Sequence, residues 1–120
     1  MLNEVTLVGN LGDQVEVRQT HDGVNVGNMR LCTNERFRDK DGNTQTRAEW
    51  HRISYFNLPE KLIEHLSKGR QLLVKGKLET RRWEDKDGMT RYSTSVVVRP
   101  GRGLVQLLGS RQKSSENEAD

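Results

Sequence analysis

The chain has 120 residues, 32% hydrophobic, 31% charged and only 5% aromatic, with a formal net charge of +3 at pH 7. This length suits one domain, and the low apolar share predicts a small core or one completed by a partner subunit. The single cysteine, Cys32, excludes an internal disulfide and points to a reducing, cytoplasmic compartment, while no apolar run approaches the ~20 residues of a membrane span. Three Asp-Gly pairs, Asp22-Gly23, Asp41-Gly42 and Asp87-Gly88, punctuate the chain. Each lies between β-prone runs, where glycine supplies the positive φ of a tight turn. Residues 4–9 and 15–19 read as a first strand interrupted near Gly12, residues 24–34 as the second and residues 48–56 as the third. A long fourth strand, residues 72–83, pairs across Asp87-Gly88 with a fifth at residues 90–99.

One helix is predicted between the third and fourth strands. Leu58, Leu62, Ile63 and Leu66 fall on one face at helical spacing. Pro59 suits the first turn, Asn57 and Glu60 can cap it, and Gly69 supplies the stop. Five strands with one helix in that place give an all-β OB-fold, a barrel. The expected domain covers residues 1–110. The Ser/Gln/Glu/Asn-rich residues 111–120 are expected to form a short disordered tail.

The aromatic residues carry the functional signal. Phe37, Trp50, Phe56 and Trp83 are embedded among arginines and lysines, Trp83 directly after Arg81 and Arg82. Rings beside cations suit single-stranded nucleic acid, whose bases stack on flat faces while phosphates pair with the cations. Strand alternation puts Trp50, Arg52, Ser54 and Phe56 on one face of the third strand, with His51, Ile53 and Tyr55 on the other. In the fourth strand Leu73, Lys75, Lys77, Arg81 and Trp83 share a face opposite Leu72, Val74, Leu78 and Thr80. Residues 36–47, with Arg36, Phe37, Arg38 and Lys40 around Asp41-Gly42, form a charged finger.

An enzyme is not predicted. His21, His51 and His65 are far apart, and no cysteine pair or carboxylate cluster has metal-ligand spacing. Asp39, Asp41, Asp85 and Asp87 serve turn chemistry, and Gly101-Arg102-Gly103 reads as a flexible strand exit. No cofactor and no metal are implied.

The same residues resemble the bacterial-type single-stranded DNA-binding protein family over about residues 3–112. Asn3-Glu4-Val5-Thr6-Leu7-Val8-Gly9-Asn10-Leu11-Gly12 is similar to its opening strand. Glu49-Trp50-His51-Arg52 and Arg91-Tyr92-Ser93-Thr94, followed by Val96-Val97-Val98, are similar to its other motifs. The resemblance implies an OB-fold that assembles as a homotetramer, stacking aromatics at Phe37, Trp50, Phe56 and Trp83, and a subunit contact at His51. Glu79 departs from the family, which often has a basic residue there. The chain also ends without the long linker and aromatic-tipped acidic peptide of many members, so recruitment of replication proteins through the tail is not expected.

The resulting expectation is a protein that coats single-stranded DNA without sequence preference in replication, recombination and repair. Phosphates would meet Arg36, Arg38, Arg52, Lys75, Lys77, Arg81, Arg82 and Lys86. The alternatives are an OB-fold interaction module of a replication-restart complex, which binds nucleic acid weakly, and an RNA-binding OB-fold.

Overall fold

In the computed structural model, which describes residues 1–109, seven strands form one sheet that curls into a barrel. They are β1 (Val5–Leu11), β2 (Glu16–Gln19), β3 (Asn25–Arg38), β4 (Thr44–Phe56), β5 (Gln71–Glu84), β6 (Thr90–Val98) and β7 (Leu104–Leu108). The sheet order is β1-β3-β4-β6-β5-β7, with β2 alongside β3 and a further β1–β5 pairing that closes the ring. All pairings are antiparallel except β4 with β6, which runs parallel from Ile53↔Val96 to Tyr55↔Val98. The five-stranded OB-fold barrel predicted from the hairpins is therefore present and closed. The expected tail at residues 111–120 lies outside the described residues.

The core follows strand alternation. Leu31, Ile53, Leu72, Val74 and Val98 point inward and are almost fully buried, joined by Leu11, Met29 and Val96. Every second residue of each strand faces inward, as the pleat requires. Gly76 marks where β5 leaves β1 (Val5↔Gly76) for β6 (Lys77↔Val97). A Cβ at Gly76 would lie 2.5 Å from the Val97 carbonyl oxygen, so the strands cross only where a side chain is missing. Leu78 shares the inward alternation but is exposed, because β5 and β6 run on past the barrel as a free hairpin. The side chain of Asn3 brackets its backbone, accepting from Leu78 N at 2.9 Å and donating to Leu78 O at 2.9 Å.

The two long hairpins end in the same device. Asp39 accepts from the backbone N–H groups of Asp41 and Asn43 and from Gln45 Nε2; Asp85 accepts from those of Asp87 and Met89 and from Arg91 Nε. Gln45 beside Asp39, and Arg91 beside Asp85, hold these carboxyls below the usual range. Gly42 and Gly88 take positive φ at the two tips.

Three expectations need correction. The predicted α-helix is a 3₁₀ segment, Glu60–His65, with no side-chain cap; Asn57 instead adopts a left-handed φ of 57°. Leu58 and Leu66 still enter the core, which is what the helical spacing had recorded. Backbone bonds from Leu58 N to Asn25 O and from Val15 N to Leu66 O tie both ends to the barrel. A 3₁₀ segment rises about 2.0 Å per residue rather than 1.5 Å and so covers a fixed gap with fewer residues. Second, the interrupted first strand is two separate strands, β1 and β2, which both pair with β3. Third, the chain carries a strand beyond the five expected: after the exit at residues 101–103, β7 pairs with β5 from Gln71↔Leu108 to Lys75↔Leu104.

Candidate nucleic-acid interface

Outside the barrel, β3 and β4 present Asn28, Arg30 and Cys32 beside Ser54, Arg52 and Trp50, each facing its registered partner across the strands. The outer face of the β5–β6 hairpin presents Glu79, Arg81 and Trp83 beside Ser95, Ser93 and Arg91. Between these faces, and bounded on its third side by residues 13–20, runs a groove of about 1300 Å³. Five arginines line it, Arg18, Arg30, Arg52, Arg81 and Arg99, against three carboxylates, Asp13, Glu16 and Glu79. Phe56 and Val97 are part of its lining. Val97 is buried on this outer face although it lies outside the core cluster, and with Phe56 it adds apolar surface to a cationic lining. Such a channel attracts phosphates by field and bases by contact.

The rings are set by neighbours of small size or opposite character. Trp50 is 49% exposed, and a Cβ at Gly12 would lie 2.5 Å from its Cζ3, so the indole lies against a bare backbone. The Arg30 guanidinium stands over the same ring, 4.7 Å from its centre, and bonds Asp13 Oδ2 at 3.1 Å. Arg99 stands 4.8 Å over Phe56 and pairs with Glu79. That pairing, with Lys77 Nζ 3.4 Å from the same carboxylate oxygen, holds the Glu79 carboxyl below its usual range. The acidic residue noted as a departure in the sequence is thus neutralised by two cations.

Of the residues predicted from sequence, the groove gathers Arg52, Phe56 and Arg81. Trp50 flanks it through Arg30, and Trp83, 47% exposed, continues the Arg81 face toward the hairpin tip, where Lys86 lies. Arg36 and Arg38 share the alternation of Trp50 and Arg52 along the β3–β4 hairpin, but Phe37 falls on its opposite face. There Arg47 stacks over Phe37 at 5.2 Å. Arg82 faces away from Arg81, beside Tyr92. Lys75 neighbours Thr6 and Leu104 outside the groove and pairs with Glu4 at 3.3 Å. His51 is half-buried on the other face of β4, its Nε2 2.9 Å from Thr33 Oγ1.

Sequence reasoning missed Arg18, Arg30 and Arg99. Arg30 was legible, because Met29 and Leu31 on either side are the inward residues of β3. Arg99 was not, since it reaches Phe56 only through the parallel β4–β6 pairing. Among the described residues, no group of three or more His, Cys, Asp or Glu side chains could hold a metal ion.

Residues 2–107 match the model of the single-strand binding protein family. The chain belongs to that family. Among solved structures, it is similar to the SSB of Plasmodium falciparum, described in complex with ssDNA, at 28% identity. That likeness has a TM-score of 0.83 and covers 91% of this chain and 97% of the other. It is also similar to a deletion variant of the single-stranded DNA binding protein from Thermus aquaticus, at 29% identity and a TM-score of 0.74. There the match covers 92% of this chain but 52% of that one.

Proposed function

We propose that this member of the family coats single-stranded DNA without sequence preference, and that the strand runs through the groove between the β3–β4 face and the β5–β6 hairpin. The observation that carries this reading is the meeting of five arginines with Phe56 and Val97 in one channel. Arg52 and Arg81, from opposite walls, take phosphates. Phe56, Trp50 and Trp83 offer ring faces to bases, each worth about 1–3 kcal/mol in comparable sites. Arg36 and Arg38 form an outlying station on the β3–β4 finger, reached by a strand that leaves the groove, and Phe37 offers a ring only to a strand that wraps round to the finger's opposite face.

The protein acts by binding rather than catalysis, in the cytoplasm and in association with the nucleoid, on strands exposed in replication, recombination and repair. It works as a homotetramer to which each chain brings the OB-fold domain of residues 1–110. His51 and Thr33 lie near a subunit contact, because both share the inward alternation of their strands yet are only half-buried within one chain. Membership of the family supports both statements.

The test is titration with a thymidine oligonucleotide while following tryptophan fluorescence, with a matched uridine strand as competitor. Quenching on DNA, with weaker competition from RNA, supports the reading. Absence of quenching, or preference for RNA, rejects it.

A further inference from the structure

Two rings beside the groove are covered in the same way. An arginine lies over each, and a carboxylate holds that arginine: Asp13–Arg30–Trp50 at one end, Glu79–Arg99–Phe56 at the other. The carboxylates come from different parts of the chain, Asp13 from the loop after β1 and Glu79 from β5. Asp13, Arg30, Glu79, Arg99 and Phe56 all line the groove. A carboxylate and a phosphate present the same planar or forked oxygen pair to a guanidinium. In the free protein, each ring is therefore shielded by a cation that already has an anionic partner.

We propose that Asp13 and Glu79 are stand-ins for DNA phosphate. An entering strand exchanges its phosphates for these carboxylates on Arg30 and Arg99, and the arginines move off Trp50 and Phe56 so that bases reach the rings. The inference rests on the groove being the path of the strand. Arg30 and Arg99 are then phosphate ligands, and Asp13 and Glu79 are positioning residues that compete with DNA. Binding is held back by the strength of two exposed ion pairs. In return, an arginine occupies one face of each ring when no strand is present.

The experiment compares Asp13→Asn, Glu79→Gln, Arg30→Ala, Arg99→Ala and the Glu79→Gln/Arg99→Ala pair by oligothymidine titration over a range of salt. All the altered side chains are at least partly exposed, and circular dichroism checks that each variant folds. Glu60→Gln removes the same charge from a residue outside the groove and measures the effect of net charge alone. Asp13→Asn and Glu79→Gln are each expected to tighten binding about 1.5- to 5-fold beyond that control, the range set by an exposed ion pair. Arg30→Ala and Arg99→Ala should each flatten the log–log salt slope by about 0.7, one phosphate. In the Arg99→Ala background, Glu79→Gln should lose most of its effect, although Lys77 is freed in both backgrounds. If Glu79→Gln weakens binding or matches Glu60→Gln, the carboxylates are struts that hold the arginines in place, and the stand-in proposal is overturned. If the unaltered protein fails to bind oligothymidine at all, the groove reading falls with it.

Discussion

The sharpest consequence of the geometry is that cations close together in sequence should differ in how they affect salt dependence. Arg81 and Arg82 are adjacent, yet the register turns Arg81 into the groove and Arg82 onto the far face of the hairpin beside Tyr92. Lys75, four residues before Glu79 on the same strand, is already paired with Glu4 outside the groove. Each phosphate neutralised on a single strand contributes about −0.7 to the slope of log K against log salt. Arg52→Ala and Arg81→Ala should each remove one such contribution, and the double variant about 1.4. Between 50 and 200 mM salt, a lost contribution of ~0.7 makes the fall in affinity about 2.6-fold smaller than in the unaltered protein. Arg82→Ala and Lys75→Ala should flatten the slope by much less than ~0.7 and lower affinity only slightly, through the long-range field that salt screens. Fluorescence titration at four or five salt concentrations gives all these slopes. Equal flattening by Arg82→Ala and Arg81→Ala would refute the face assignment, because it would mean that charge alone, and not the groove, organises the strand.

Phe56→Ala should weaken oligothymidine binding by about 1–3 kcal/mol, as read by titration, while Phe37→Ala on the opposite face of its hairpin should cost less. Gly12→Ala should fold, because the added methyl meets the far edge of a half-exposed ring rather than backbone. It should nevertheless displace Trp50, seen as a changed emission spectrum of the free protein and weaker binding. His51→Tyr should shift the assembly toward smaller species in light scattering, since the added bulk replaces a half-buried ring bonded to Thr33.

The hairpins were legible because their turn chemistry is local: Asp-Gly pairs, with an aspartate two residues earlier accepting the turn's N–H groups at both long tips. The two faces of β4 were legible because alternation is a property of the strand itself. The 3₁₀ segment was not, since Leu58, Leu62, Ile63 and Leu66 mark which side faces the core without fixing the rise per residue. β7 was hidden because its five residues follow a Gly-rich exit and gain their strand character from β5. At the site, charge was visible but allegiance was not. Lys75, Lys77 and Arg99 look alike in sequence, and only the closed barrel brings Glu4 to the first and Glu79 to the other two. Arg82 counts among the cations of the fourth strand by composition, but its alternation sets it beside Tyr92 and not Ser93.

The most direct test of the groove is photo-crosslinking of an oligothymidine carrying 5-bromodeoxyuridine at several positions, with the adducts mapped by mass spectrometry. Accessibility alone favours Tyr92, which at 68% is the most exposed aromatic side chain among the described residues. Crosslinks at Trp50, Phe56 and Trp83, with Tyr92 weak or absent, are the predicted result. Crosslinks concentrated on Tyr92, with none at Trp50 or Phe56, would place the strand on the other face and contradict the account.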